Sequence, residues 1–499
     1  MKKTLLTIVT ALLVLSLNAQ ISVWDGTVEP WTHGAGTQSD PYLIENARQL
    51  AYLAEKTNEL LYNNYAYNNM YTDTCFQLTV DLDLGGENGL IWKPIAQDGV
   101  SLQTRCFGGN FDGGNHVISN MALGDDSGRK YMGLFGHVKE GSIKNITIDG
   151  DEIRVPEFIT YDVGGLGIIV GYGENATIEH CTNNVDITWE YANFEFGACF
   201  GGLFGWMLNS TISDCHNYGK ITVPEVLSVY SSLNFGGICG VLYEGGINNC
   251  SNHGDIYVKN GDGNVAEQVV CGGIVGRMTG TMTNCFNISN MDMEVSVTPP
   301  SSIIASAGGI VGSTSIAEGN LSITNSYCVS EMTISGCEES AYIGGILGYA
   351  NDNVQVSVDN CYYINTIEDN GYGLAKSEQE MKSQDFVELL NALSDVYAMD
   401  DIHVNQGYPI FTQYYSVDEN EAYNGISVYP NPARNIVNIA FSDDIDCQSV
   451  EIYTIDGRLL QSKSSNFETV DISDLNSGVY ILKVNMADGR EFAERIVKE

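Results

Sequence analysis

Gly201-Gly-Leu-Phe-Gly205, followed by Thr211-Ile-Ser-Asp-Cys215, decides the fold of this chain, because the pair recurs. Counterparts of the first motif are Met132-Gly-Leu-Phe-Gly136, Gly167-Ile-Ile-Val-Gly171, Gly236-Gly-Ile-Cys-Gly240, Gly272-Gly-Ile-Val-Gly276, Gly308-Gly-Ile-Val-Gly312 and Gly344-Gly-Ile-Leu-Gly348. Successive copies begin 34 to 36 residues apart. The second signature follows as His180-Cys181, Asp214-Cys215, Asn249-Cys250, Asn284-Cys285, Asn325-Ser326 and Asn360-Cys361. A fixed period of this length means stacked supersecondary units, each burying its apolar face against the next.

One repeat reads as three short strands, Gly201–Gly205, Thr211–Cys215 and Lys220–Val223. Ile212 and Cys215 are three apart and would point to opposite faces of a straight strand. Both face inward only if the chain bends between them. The Asn or Asp before the Cys sits at that bend, since these residues tolerate left-handed backbone angles. The fold class that follows is all-β, a right-handed parallel β-helix with helical end caps and a small C-terminal β-sandwich. An Asn column of this kind reads as a hydrogen-bonding ladder.

The sequence on either side of the repeats sets the domain organisation. Residues 1–19 read as a secretory signal, with Lys2 and Lys3, an apolar run and a small residue at Ala19. Residues 20–130 hold a capping helix, over Ile44 to Asn63, and leading rungs. Residues 131–365 are the repeats. Residues 366–415 form a C-terminal cap, with a helix over Ser377–Val396 closing the far end. Residues 416–425 are an acidic linker, and 426–499 are an all-β tail. No later run approaches the roughly 20 apolar residues of a spanning helix.

The chain carries 63 acidic against 23 basic residues, a formal net charge of −40. Such a surface repels nucleic acid and other polyanions. Thirteen cysteines in an exported chain suggest disulfides. Yet Cys181, Cys215, Cys250, Cys285 and Cys361 share one column, so a buried apolar thiol ladder competes with bridges between rungs. No cofactor is indicated. Calcium on Asp81, Asp83 and Glu87, or at Asp262, is the metal alternative.

Three resemblances rest on these residues. The copies over 132–365 resemble GLUG-motif repeats, which that family places in β-helical regions of bacterial surface and secreted proteins. Trp24-Asp-Gly-Thr27, Gln49-Leu-Ala-Tyr-Leu53 and Phe111-Asp-Gly resemble the leader that precedes such repeats. Tyr429-Pro430-Asn431-Pro432, Gly457-Arg458, Gly478-Val-Tyr480 and Arg495-Ile-Val-Lys498 resemble the type A C-terminal sorting domain of the type IX secretion system. That resemblance implies type IX machinery as a partner, passage across the outer membrane of a Gram-negative bacterium, and a secreted or surface location.

Function is less legible. No nucleophile elbow, zinc-protease motif or phosphate loop is present. Asp214 beside His180 is the one active-site lead, and His180, His216 and His253 lie in different registers. The stretches between repeats carry aromatics, and Trp189, Tyr191, Phe194 and Tyr230 are the candidate ligand contacts, since such insertions gather on one side of a solenoid. The expectation is a non-catalytic, adhesin-like protein that binds a glycan or a host or matrix protein. A polysaccharide lyase or glycosidase on the same scaffold is the alternative.

Overall fold

A computed structural model describes residues 22–412 except 60–67, 98–104, 125–129, 156–157, 161–162, 195–196, 229–231, 261–266, 297–302, 315–317, 338–339 and 401–404. In the tail it describes 426–498 except 430–432, 434–435, 442–446, 455–458, 466, 468, 474, 476–477 and 487–490. Two compact units result, residues 1–412 and 413–499.

The first unit is a parallel β-solenoid. Each repeat forms one rung, and the repeats stack in register, with Gly201 opposite Gly236, Gly236 opposite Gly272 and Gly272 opposite Gly308. A rung has five strands. In the rung that begins at Ala198 they are face I, Ala198–Gly201; face II, Phe204–Leu208; face III, Thr211–Ser213; face IV, His216–Asn217; and face V, Ile221–Ser228. The glycine motif is thus not a strand, as its sequence suggested, but the corner between faces I and II. The reason is space. A Cβ on Gly236 would lie 2.0 Å from the Cys239 carbonyl oxygen and 2.7 Å from the Gly276 amide nitrogen. Only glycine lets the backbone of successive rungs approach so closely.

The corner between faces III and IV is built differently. Asn145, His180, Asp214, Asn249, Asn284, Asn325 and Asn360 all have positive φ, between 51° and 56°. This is the left-handed region that short polar side chains tolerate. Each turn lets both flanking positions face inward, Ile212 and Cys215 alike. The Asn side chains form the expected ladder. Asn284 donates to Asn249 (3.1 Å), Asn325 to Asn284 (2.7 Å) and Asn360 to Asn325 (2.6 Å). A second, buried ladder runs Asn183, Asn217, Asn252, Asn287 on face IV.

All thirteen cysteines are unbridged. The column of five is fully buried, and each thiol donates to the carbonyl two residues before it, as Cys250 does to Asn248 at 3.1 Å. Stacking these columns produces one continuous core from Ile44 to Tyr363.

The coil begins well before the first repeat. Tyr42–Ile44, Cys75–Leu78 and Asn110–Asp112 already stack in parallel on face III. Helix α1 (Ala47–Asn58), capped by the Asn46 side chain, buries Leu50, Leu53 and Ala54 into the same core.

The C-terminal segment differs from expectation in two ways. Its single helix is two, α2 (Glu378–Met381) and α3 (Gln384–Leu390), because the Ser383 side chain accepts from the Phe386 amide and starts a new helix. Leu393 consequently lies exposed. Nor does the segment simply close the last rung. It lies along face IV, where outward positions after the Cys column turn aromatic. Phe411 packs on His216 and Phe286, Tyr397 on Tyr327, and Phe386 on Tyr327 and Tyr362. Ser394 bridges Asn284 and Asn325.

The second unit has a three-stranded and a four-stranded antiparallel sheet. Val437, Ile439, Ile452, Leu482 and Ile496 are among its core.

Candidate functional site

Two of the four aromatics expected to contact ligand do not line a surface. Trp189 and Phe194 are buried, and both meet Phe200 edge-on, at 5.9 and 5.7 Å. They lie on face V strands whose alternation turns them into the core, so that expectation is corrected. Tyr191 is half-buried, with its hydroxyl 3.4 Å from the Asn193 amide. Tyr230 lies outside the described residues.

The acidic leads are turn residues. Asp214 accepts from Asn249 at 3.1 Å. Asp81 accepts from His116 and the Val117 amide, both at 3.0 Å. Asp83 accepts from the Gly85 amide at 2.7 Å and Asn120 at 2.9 Å. Asp262 lies outside the described residues. No cluster of three or more His, Cys, Asp or Glu among the described residues could hold a metal ion. His216 and His253, in different registers by sequence, meet through Ser251, at 2.9 and 3.1 Å.

Two grooves open at the ends of the solenoid. One, of about 590 Å³, is lined by Asp73, Asn110, Asp112, Lys144 and Glu179. Burial works to raise the Asp112 carboxyl, but hydrogen bonds from Asn145 and Gly114 and the Lys144 ammonium outweigh it and hold it below its ordinary range. A carboxyl tied down in this way is a poor general acid. The other groove, of about 700 Å³, includes Met332, Tyr342, Ile343, Glu368 and Asp369.

Faces I and II meet at a concave corner, a cleft largely filled by its own side chains, which holds a more specific arrangement. The residue immediately after each glycine corner points outward: His137, Tyr172, Trp206, Val241, Arg277, Ser313 and Tyr349, stacked rung on rung. A second row comes from face I: Tyr131, Gly165, Cys199, Asn234, Val270, Ser306 and Tyr342. The rows meet across the concave corner. Tyr131 stacks on Tyr172 at 4.8 Å, Tyr172 lies 5.2 Å from Trp206, and Tyr342 lies 4.9 Å from Tyr349.

The middle of this cleft is polar and incompletely satisfied. His137 Nε2, Trp206 Nε1, Asn234 Oδ1, Arg277 Nε and Ser306 Oγ are buried atoms with no hydrogen-bond partner. Among the described residues Asn405 Oδ1 shares that state and lies outside these rows, whereas Glu29 Oε2 is met by the Arg48 guanidinium at 2.5 Å. Native interiors leave few such atoms, and each lost partner costs roughly 1–3 kcal/mol. Burial pushes the Cys199 thiol up to about 12, against the opposing pull of Arg277 and Asn234. Sequence reasoning missed this cleft. Its signal was the variable residue after each invariant corner glycine, aromatic or His in four of seven copies.

Residues 427–499 match the secretion system C-terminal sorting domain. This tail implies engagement with type IX machinery and a secreted or cell-surface protein. No helix among the described residues is long and apolar enough to cross a membrane. Within the sorting domain, Tyr429 pairs with Asn438, Gly478 with Lys498 and Tyr480 with Ile496. Pro430, Asn431 and Pro432 lie outside the described residues.

The chain is 32% identical over 148 residues to a "Putative Gly-rich membrane protein" of Evansella cellulosilytica, covering 29% of this chain and 15% of that one. It is 32% identical over 72 residues to Beta-agarase D of Zobellia galactanivorans, 14% of each. The chain thus spans about a seventh of the length of these curated relatives. A crystal structure of a "putative immunoglobulin A1 protease" from Bacteroides ovatus covers 76% of this chain and 94% of its own, with a TM-score of 0.43 and 20% identity. At that level the likeness carries no functional argument.

Proposed function

We propose that this is a secreted or cell-surface β-helical protein with an adhesin-like role, binding a glycan without catalysis through the cleft between faces I and II. The observation that carries this reading is the run Tyr131, Tyr172, Trp206. Three half-buried rings lie one rung apart, beside a buried indole N–H that has no partner. Sugar rings present apolar faces that stack on such rings and hydroxyls that would satisfy such donors. The resemblance of the repeats to GLUG motifs of surface proteins agrees with it. Against an enzyme stands the state of the acids: Asp112, Asp214, Asp81 and Asp83 all hold turns or ladders. The likeness to Beta-agarase D covers too little of either chain to weigh for catalysis.

The test is a glycan and matrix-protein array with the secreted chain, followed by Trp206→Ala. Glycan binding should fall about tenfold or more when the ring is lost. A matrix protein bound in preference to every glycan, or glycan binding indifferent to Trp206→Ala, would refute the assignment.

A further inference from the structure

Arg277 is the one charged side chain among the two facing rows, and it is only 2% exposed. Its Nη2 donates to the Gln268 carboxamide oxygen, and its Nε has no partner. No carboxylate forms an ion pair with it among the described residues, although the chain has 63 acidic residues. Arg105, which bonds the Asn58 carbonyl, is likewise without a carboxylate but is only half-buried, and four other cations differ more sharply. Lys139, Lys144, Arg154 and Lys259 each hold a carboxylate, and each is more exposed than Arg277.

A buried charge without a counter-charge is expensive, and proteins ordinarily pair it or neutralise it. Arginine does not escape by losing its proton. Its planar fork of N–H donors matches a carboxylate in two parallel hydrogen bonds. Around it stand Asn234 Oδ1 and Ser306 Oγ, also without partners, which suit a ligand's hydroxyls. Gln268, half-buried on the first residue of its face I strand, offers a neutral oxygen where an anion's would sit.

We infer that Arg277 is an anion subsite of the glycan cleft, accepting a single sugar carboxylate that displaces the Gln268 carboxamide. This rests on the glycan-binding reading and narrows it. Trp206 and Arg277 are two rungs apart, about 10 Å along the axis. A sugar stacked on Trp206 thereby leaves a linked residue near the guanidinium. One guanidinium neutralises one carboxylate, whereas the net charge of −40 repels a chain acidic at every residue. The class of ligand is therefore a mainly neutral glycan with one acidic sugar.

Calorimetry on the full chain with three oligosaccharides of equal length tests this: one neutral, one with a single carboxylate, one with a carboxylate on every residue. The singly acidic glycan should bind about ten- to hundred-fold more tightly than the neutral one. Gln268→Glu supplies a carboxylate from within the protein, so that preference should fall to about one while the melting temperature rises. This variant keeps the test open even if Arg277→Gln does not fold. Equal affinity for the neutral and singly acidic glycans overturns the Arg277 subsite and leaves the glycan-binding reading standing. Tightest binding by the fully acidic chain overturns the single-carboxylate class. No binding of any glycan by the folded wild type overturns both, and competition by an acidic peptide alone would assign the site to a protein ligand instead.

Discussion

The two corners of each rung make opposite use of polar side chains. At the corner between faces III and IV, each Asn amide donates to the rung before it from Asn249 to Asn360, and each Cys thiol closes its own turn. Among the described residues no buried side-chain atom of that corner lacks a partner. At the corner between faces I and II, glycines remove side chains from the turn, and the outward residues beside it leave five buried polar atoms without partners. A saturated ladder is what a corner needs in order to hold a coil together. An unsaturated row costs stability, a cost that a bound ligand supplying the missing partners would offset. On the glycan-binding reading proposed above, the difference separates scaffold from site within one repeat.

Acid should break the scaffold side most severely. Burial draws His216 down to about 4 and His253 down to about 3. With folded pKa values depressed, their contribution is complete above the unfolded value near 6.5 and is lost as pH falls toward the folded values. Each costs about 1.4 kcal/mol per pH unit, so the pair removes on the order of 5 kcal/mol between pH 6.5 and 4.5. Urea unfolding at the two pH values reads this directly. His253→Gln should flatten the dependence, and an unchanged slope would mean that His216, packed on Phe411, and His253, packed on Tyr218 and Phe286, are not held neutral in the folded chain.

Steric closure of the glycine corner comes next. Gly236→Ala places a methyl group 2.0 Å from a backbone oxygen, with no flexible side chain to yield. The expected loss is about 3 kcal/mol, at the upper end of overpacking effects. Thermal melting that shifts by only a degree or two would show that the rungs can separate locally. Asn249→Ala should cost somewhat less, about 2 kcal/mol, since it breaks two ladder bonds and strains a left-handed turn. Asn249→Gly relieves the strain alone and should recover part of that loss. Full recovery would mean that the ladder itself contributes nothing.

How much of this was legible in the sequence differs between the same two corners. Period 34–36 and the Asn-Cys pair gave the rung, the turn and the buried thiols, because turn chemistry and inward packing act within a few residues. The strand division failed at Gly201–Gly205, where contacts come from the neighbouring rungs. Trp189 and Phe194 were misplaced for a related reason. Face V continues through stretches that looked like insertions, so rings assigned to loops belong to strands. The docking of Phe386, Tyr397 and Phe411 along face IV was written in Phe286, Tyr327 and Tyr362, the residues after the Cys column. It became readable only once that column was known to face the core and its successor to face out. Trp206 and Arg277 were hidden because variation after a constant motif looks like noise until the rungs are stacked.

The smallest expected effect is also the sharpest test of saturation. Replacing a buried Cys by Ser ordinarily strands a hydroxyl in an apolar core, at about 1–3 kcal/mol. One rung of this chain has already made that exchange. Ser326 occupies the Cys column, fully buried, and its Oγ donates to the Thr324 carbonyl at 3.0 Å while accepting from the Cys285 amide at 3.1 Å. Cys250 has the same surroundings. Its thiol donates to Asn248, and the Cys215 amide donates to it at 3.4 Å. A hydroxyl there would inherit both bonds and make them shorter. Cys250→Ser should therefore cost less than about 1 kcal/mol, measured by denaturant midpoint against Cys271→Ser as a control. Cys271 is buried on face I, opposite Phe235 and Ala307. Its replacement should be the costlier of the two. Equal losses at both positions would show that the III–IV corner tolerates a hydroxyl no better than the rest of the core, and that its completeness is a property of sulfur rather than of the turn.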